Sequence, residues 1–281
     1  MKEDGSPKIY LLPNLMTAGN LVCGFLATLN ILQGALAMKA VEVAGTAQLD
    51  LGESFFIRAI WYILAACVFD LLDGRLARLG GTDSPFGREF DSLADVVSFG
   101  VAPALLVSRV LLRDYDPIGG IIACVYLVSG AMRLARFNCI AAANVTSASK
   151  DFKGIPIPAA AGLIASVTLF MMWLTDNKVE HWVMRWVLPP LLLFLSWMMF
   201  SSFTYPSFKN INWRTTRSMP KLLGIVVVIL LTVTFYQWMP AAIFLTYLLY
   251  GFLRPFLSRK MKASIEEVPE DEDEDEQPES P

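Results

Sequence analysis

The sequence predicts an all-α protein, a polytopic transmembrane helix bundle with about eight spans. Hydrophobic residues make up 55% of the 281 residues and charged residues only 17%, and the mean hydropathy is +0.50. This composition leaves too little polar surface for a water-soluble globule of this size. The apolar stretches are near the roughly 17–25 residues that a helix needs to cross a bilayer, and they lack the alternation of barrel strands.

Eight apolar stretches divide the chain into predicted helices. They cover residues 10–33, 55–76, 90–112, 118–139, 157–175, 182–203, 221–237 and 240–253. The first has no small-residue cleavage pattern, which favours a retained helix over a signal peptide. The last is short and begins at Pro240, which favours a tilted or half-inserted helix. No role is assigned to residues 34–54, and we expect one membrane domain over residues 1–262.

The C-terminal residues 263–281 form a separate segment in this interpretation. They hold most of the surplus acid behind the net charge of −3, contain three prolines and lack aromatic residues. Such a segment cannot bury enough apolar surface to offset the entropy lost on ordering. We expect a disordered acidic tail, to which no role is assigned.

The distribution of Lys and Arg predicts the orientation of the bundle. Basic residues concentrate before helix one, after helices two, four and six, and after helix eight, whereas the opposite loops hold fewer and carry offsetting acids. Cytoplasmic loops collect Lys and Arg. We therefore expect a multi-pass protein of the cell inner membrane with both termini in the cytoplasm.

Four aspartates at the predicted cytoplasmic ends of helices two and three form the candidate site. Asp70 and Asp73 are three residues apart and Asp91 and Asp95 four apart, so each pair lies on one helical face. The intervening segment contains two glycines and a proline, which favours a tight reversal that brings the faces together. An ionised Asp in a membrane costs roughly 2.5 kcal/mol or more, so cations, water or substrate must neutralise the cluster.

The chemistry of this cluster favours hard divalent cations. Four carboxylates without His or Cys nearby suit two Mg²⁺ or Mn²⁺ ions, and paired ions are a usual device for displacement at phosphorus. The predicted substrate is therefore a phosphate or diphosphate. A solvated acidic helix end with ordinary small-residue packing is the alternative interpretation.

The run Asp70-x-x-Asp73-Gly74-x-x-Ala77-Arg78, eight residues, then Gly87-x-x-x-Asp91-x-x-x-Asp95 resembles the signature of the CDP-alcohol phosphotransferases at every fixed position. The resemblance implies a core of about six helices, two metal ions and transfer of a phosphoryl-bearing group with release of CMP. Implied metal ligands are Asp70, Asp73, Asp91 and Asp95, and Asp95 is also the implied general base. Implied contacts to the CDP-lipid are Gly74, Ala77, Arg78, Ser84, Gly87, Asn14 and Thr17. Asn14 and Thr17 have the alternative role of capping helix one.

Three further stretches, around Ser98, Arg133 and Gly154, resemble the phosphatidylserine synthase branch of this family. That branch implies CDP-diacylglycerol as donor and L-serine as acceptor. Guanidinium groups bind a carboxylate bidentately, and amide or hydroxyl oxygens can accept from an ammonium. The predicted serine-binding residues are Arg133, Arg136, Asn138 and Ser98. The alternative role for the two arginines is to mark the cytoplasmic boundary or bind anionic lipid headgroups.

Two other functions stay open at this point. The same chemistry can serve glycerol phosphate or inositol phosphate as acceptor, which would call for more cations around the pocket. A cation transporter would also place acids in the membrane, but over several helices and depths. No nucleic-acid partner is expected. Membrane lipids are expected neighbours, and the resemblance implies a homodimer.

Overall fold

A computed structural model describes residues 11–44, 49–80, 84–142, 152–177, 182–201, 204–205 and 219–253. Within these ranges the protein is a bundle of eight helices, which confirms the predicted all-α class. The helices are α1 Leu11–Ala44, α2 Leu49–Gly80, α3 Pro85–Leu111, α4 Ile118–Ala142, α5 Ile157–Asp176, α6 Trp182–Phe200, α7 Met219–Thr234 and α8 Met239–Leu253. The predicted tail, residues 263–281, lies outside the described residues.

Each of the eight apolar stretches falls on one helix. By length and composition, five of the described helices, α1 to α5, can cross a membrane. Shorter apolar helices occur at Trp186–Phe200 and Met239–Leu253. The β-structure of the described residues is one antiparallel ladder of two short strands, β1 (Phe152–Lys153) and β2 (Thr204–Tyr205).

Helices α1 and α2 form a long hairpin that includes much of the segment without an assigned role. At 34 residues, α1 is about 51 Å long, beyond a hydrocarbon core of about 30 Å. A Cβ on Gly34 would lie 2.8 Å from the Phe56 ring and 3.1 Å from the Gly52 carbonyl oxygen. The two backbones therefore approach closely through small residues, as is common between membrane helices.

Helix α3 departs from regular α-geometry immediately after Asp95. Its first part, Pro85–Asp95, is α-helical and is followed by a π-helical segment, Val96–Val101. Pro103 has no N–H to donate to the Phe99 carbonyl four residues earlier. The buried Tyr126 hydroxyl of α4 donates to that carbonyl oxygen instead, at 2.8 Å. A side chain of the neighbouring helix α4 thus supplies the hydrogen bond that this carbonyl would otherwise lack. Segments of π-helix are frequent at functional sites.

The core is built around α5, which packs against α2, α3, α6 and α8. Its buried positions are mostly small or aliphatic, including Ala160, Ala161 and Leu163. Because successive helices run in opposite directions, the start of α1, the end of α2 and the start of α3 meet at one end of the bundle. This is the end that holds the candidate site.

The segment between β1 and α5 is fixed against α6 at this same end. Gly154 has a φ of 76°, and a Cβ there would lie 3.2 Å from the Met198 carbonyl oxygen. The Ile155 N–H donates to that same oxygen at 3.3 Å. A side chain at position 154 would meet both a strained backbone and the α6 backbone, so Gly is the residue that fits.

Candidate active site

The structure brings the four predicted aspartates together. Carboxylate oxygens of Asp70, Asp91 and Asp95 lie within 4.8 Å of one another. The side chains of Asp73 and Asp91 also interact. Asp73 and Asp95 are each 5% exposed, and Asp70 and Asp91 are half-buried. The helical spacing therefore does produce a single carboxylate cluster between α2 and α3.

Helix α1 supports this cluster from a third side. The Thr17 hydroxyl donates to Asp73 Oδ2 at 2.9 Å, and Asn20 Nδ2 donates to Asp95 Oδ1 at 3.0 Å. Both donors are buried, so each bond forms away from water and orients one carboxylate. Thr17 thus lies beside an acid of the cluster, a position that also brings it close to any ligand there.

Asn20 is a site residue that the motif spacing does not identify. Its backbone carbonyl accepts a hydrogen bond from the buried Ser98 hydroxyl at 2.9 Å. A Cβ on Gly24, one turn further along α1, would lie 2.6 Å from the Ser98 Cα. Close packing of α1 on α3 therefore holds the amide against Asp95. In the sequence, the feature that points to Asn20 is its position in the polar stretch at the start of helix one.

Ser84, Gly87 and Asn14 meet beside the aspartates. Ser84 is the N-cap of α3, and its Oγ accepts from the Gly87 N–H at 3.0 Å. A Cβ on Gly87 would lie 3.2 Å from Ser84 Oγ and 3.5 Å from Asn14 Oδ1. A hydroxyl that accepts here keeps its own proton for a further acceptor. The three residues therefore form a small polar group around the first turn of α3, at the positive end of the helix dipole.

Gly74 is exposed, and a Cβ built on it would meet no atom of the described residues within 4 Å. Protein packing therefore does not require glycine at this position. Ala77 and Arg78 follow within α2, but their side chains lie outside the described part of the structure. Their predicted contacts remain predictions.

The four predicted serine-binding residues have different partners in the structure. Arg133 interacts electrostatically with Asp95, and its buried Nε has no hydrogen-bond partner. Arg136 is exposed. Asn138 donates to the Ser92 hydroxyl at 2.9 Å and to Glu89 Oε2 at 3.4 Å.

Of this group, Arg133 is the residue that interacts electrostatically with an aspartate of the cluster. The hydroxyl of Ser98 is engaged by Asn20, and the amide of Asn138 ties α4 to α3. Both contacts hold helices in place. Sequence spacing could not show which of these side chains bond between helices, because this depends on the rotation of α4 against α3.

The residues present fit divalent cations. Asp70, Asp91 and Asp95 each offer an oxygen within one small volume. Asp91 Oδ1 is buried without a hydrogen-bond partner, an arrangement that is costly unless a ligand completes it. Carboxylate oxygens without nitrogen or sulfur donors are the set that Mg²⁺ or Mn²⁺ prefers.

Comparison with known proteins agrees with the site. The profile of the CDP-alcohol phosphatidyltransferase family matches residues 10–200. The CDP-diacylglycerol–serine O-phosphatidyltransferase of Helicobacter pylori is 36% identical over 251 residues, covering 88% of this chain and 91% of that relative. The protein of the same name from Methanocaldococcus jannaschii is 33% identical over 189 residues, 67% and 75% of the two chains. The archaetidylserine synthase of Methanothermobacter thermautotrophicus is 30% identical over 208 residues, 73% and 74% of the two chains.

Proposed function

Because this chain belongs to the CDP-alcohol phosphatidyltransferase family, we propose that it transfers the phosphatidyl group of CDP-diacylglycerol to L-serine and releases CMP. The observation that carries the proposal is the carboxylate cluster of Asp70, Asp91 and Asp95 with Arg133 beside it. The cluster suits a diphosphate bound through cations, and the guanidinium suits an acceptor that carries a carboxylate.

Asp95 is the general base in this mechanism. It accepts the proton of the serine hydroxyl, whose oxygen attacks the phosphorus that bears diacylglycerol. A new oxygen–phosphorus bond forms, the bond to the oxygen bridging the two phosphates breaks, and CMP leaves with that oxygen. The bond from Asn20 Nδ2 fixes one Asp95 oxygen and leaves the other for the acceptor hydroxyl.

The donor lies over the start of α3 and the exposed face of α2. Ser84, the N-cap of α3, donates its hydroxyl proton to the diphosphate, which lies at the positive end of the helix dipole. Gly74 allows the nucleotide to approach the α2 backbone, since a Cβ there would meet no atom of the described residues within 4 Å. Ala77, Arg78 and Gly87, with Asn14 and Thr17 from α1, complete the proposed donor site.

The four aspartates would hold two divalent cations, Mg²⁺ or Mn²⁺. Asp73 accepts from Thr17 and its side chain also interacts with Asp91, which supports its place in the same cation-binding cluster. When bound, such cations neutralise the charge that develops on the transferring phosphoryl group and on the leaving oxygen. Asn20 and Thr17 keep two of the carboxylates oriented.

The acceptor site is centred on Arg133, which binds the serine carboxylate. Arg136, one turn further along α4, attracts the anionic substrates from the surface. Ser98 and Asn138 act as positioning residues through Asn20 and Ser92. The reaction takes place at the cytoplasmic side of the cell inner membrane in a protein whose termini both face the cytoplasm, and the assembly is a homodimer.

The test is a CMP-release assay with purified protein in mixed micelles of detergent and CDP-diacylglycerol. We expect release to depend on L-serine and on Mg²⁺ or Mn²⁺, and to stop with excess chelator. Glycerol phosphate and inositol phosphate serve as competing acceptors in parallel reactions. Equal CMP release with and without serine would contradict the proposal, and release that requires a phosphorylated acceptor would reassign the acceptor.

A further inference from the structure

Arg133 has an incomplete set of hydrogen bonds. Its Nε is buried and has no hydrogen-bond partner among the described residues, although an arginine carries five N–H donors. A buried donor without an acceptor costs about 1–3 kcal/mol, so such a group calls for a ligand. Beyond Asp95, the second group that interacts electrostatically with Arg133 is the phenol of Tyr247 on α8.

Tyr247 comes from the end of the chain, beyond residues 10–200 that the family profile matches. It is half-buried and packs against the hydrophobic core. Phe244 precedes it by three residues and therefore lies on the same face of α8. The face continues with Leu248, which is 1% exposed, and the buried Gly251.

Two contacts seat this face of α8 on the bundle. A Cβ on Gly162 of α5 would lie 2.7 Å from Phe244 Cε1, so the ring lies directly against the α5 backbone. The Phe252 ring meets the Phe194 ring of α6 edge-on, with centroids 5.4 Å apart. These contacts fix the rotation of α8, the helix whose Tyr247 interacts electrostatically with Arg133.

We propose that α8 completes the acceptor site and that Tyr247 is a specificity-determining residue for the acceptor, binding its carboxylate together with Arg133. The inference rests on the proposed function, because it assigns a residue to the serine site. The phenol hydroxyl donates to one carboxylate oxygen, and the Nε–H and an Nη–H of Arg133 donate to the acceptor carboxylate.

The chemistry of serine agrees with this arrangement. Its hydroxyl and its carboxylate are separated by two carbon atoms, so a residue that binds the carboxylate must lie near the base that takes the hydroxyl proton. Arg133 interacts with both Asp95 and Tyr247. A serine held by its carboxylate between α4 and α8 therefore presents its hydroxyl toward Asp95.

Steady-state kinetics of Tyr247→Phe test the proposal. We expect the KM for L-serine to rise about tenfold, the effect of losing one hydrogen bond to a charged group. The kcat and the KM for CDP-diacylglycerol should stay within about twofold of the wild-type values, since the ring still packs on the core. If Tyr247 had a merely structural role, its substitution would change the KM values for both substrates or lower the thermal stability.

Thr246→Val is the matched control, because Thr246 is exposed and donates to its own helix at the Ala242 carbonyl. It should leave both KM values unchanged. An unchanged serine KM in Tyr247→Phe, or an equal rise for both substrates, overturns the role of Tyr247 while leaving the proposed function intact. Absence of serine-dependent CMP release in the wild-type protein overturns both.

Discussion

At the residue scale, the site depends on how each carboxylate is held. Asp95 accepts from the neutral Asn20 amide and interacts with the Arg133 cation, and it is 5% exposed. Asp73 accepts from the Thr17 hydroxyl. The neutral donors Thr17 and Asn20 orient these two acids without neutralising their charge, so both can still bind a cation. In the proposed mechanism all four aspartates are cation ligands, and Asp95 is also the base.

Replacing Asp95 with Asn should abolish serine-dependent CMP release while preserving the fold. General-base catalysis contributes about 10²–10⁴-fold, so activity should fall at least a hundredfold. The Asn carbonyl can still accept from Asn20 Nδ2, and binding of a CDP-lipid, measured by calorimetry, should persist. Asp176→Asn, at an exposed helix end, is the control with the same chemical change. Near-normal turnover of Asp95→Asn would show that Asp95 is not the general base.

The variant Gly74→Ala distinguishes a contact between Gly74 and the CDP-lipid from a requirement of protein packing for glycine. A Cβ at this position meets no protein atom within 4 Å, and Ala favours a helix over Gly by about 1 kcal/mol. We therefore expect unchanged or higher thermal stability and a KM for CDP-diacylglycerol raised about tenfold or more. Gly120→Ala in α4 also faces open space and should keep wild-type kinetics. Wild-type kinetics in both variants would show that the donor does not approach Gly74.

At the element scale, α1 positions the two carboxylate-bearing helices. Thr17 and Asn20, three residues apart on one face, reach α2 and α3 respectively. Gly24 continues this face and allows α1 to lie against Ser98. The π-helical segment after Asp95 places Ser98 in the interface, where its hydroxyl fixes the Asn20 backbone. The geometry of the base therefore depends on the packing of α1.

Gly24→Ala should disturb the site without touching an aspartate. The added Cβ would meet the Ser98 backbone at 2.6 Å, so α1 and α3 must separate at a cost of about 1–3 kcal/mol. We expect a lower midpoint of thermal unfolding in detergent and a reduced kcat. Gly224→Ala, whose Cβ meets nothing within 4 Å, provides the control. Unchanged stability and turnover in Gly24→Ala would mean that α1 and α3 leave room for a Cβ at position 24.

The convergence of the four aspartates follows from sequence alone, since helical spacing places each pair on one face. Helix positions follow from hydropathy, but the end of α1 does not. The stretch after residue 33 is less apolar, yet its Ala, Leu, Met and Lys residues favour helix and continue α1 to Ala44. Asn20 and Tyr247 could not be assigned from sequence because their roles depend on tertiary contacts with distant helices. The same holds for Ser98 and Asn138, whose side chains are used between helices.

At the scale of the whole molecule, the two ends of the bundle differ in their charge. The site end gathers the aspartates with Arg133. At the other end, a cavity of about 200 Å³ is lined by Lys39, Arg109 and Asp116 among others, so cations and acids are mixed. The orientation predicted from the loops, with the surplus basic residues on the cytoplasmic side, remains a prediction.

Cysteine labelling in membrane vesicles tests the proposed orientation. Arg88, near the site, and Asp116, at the opposite end, are both exposed, and each can be changed to Cys in a chain whose four native cysteines are replaced by Ala or Ser. A membrane-impermeant maleimide should label position 88 only in inside-out vesicles and position 116 only in right-side-out vesicles. Permeabilised vesicles should label at both positions, which controls for reactivity. The reverse pattern would place the aspartates on the face away from the cytoplasm, where CMP released by the reaction could not return directly to the cytoplasmic nucleotide pool.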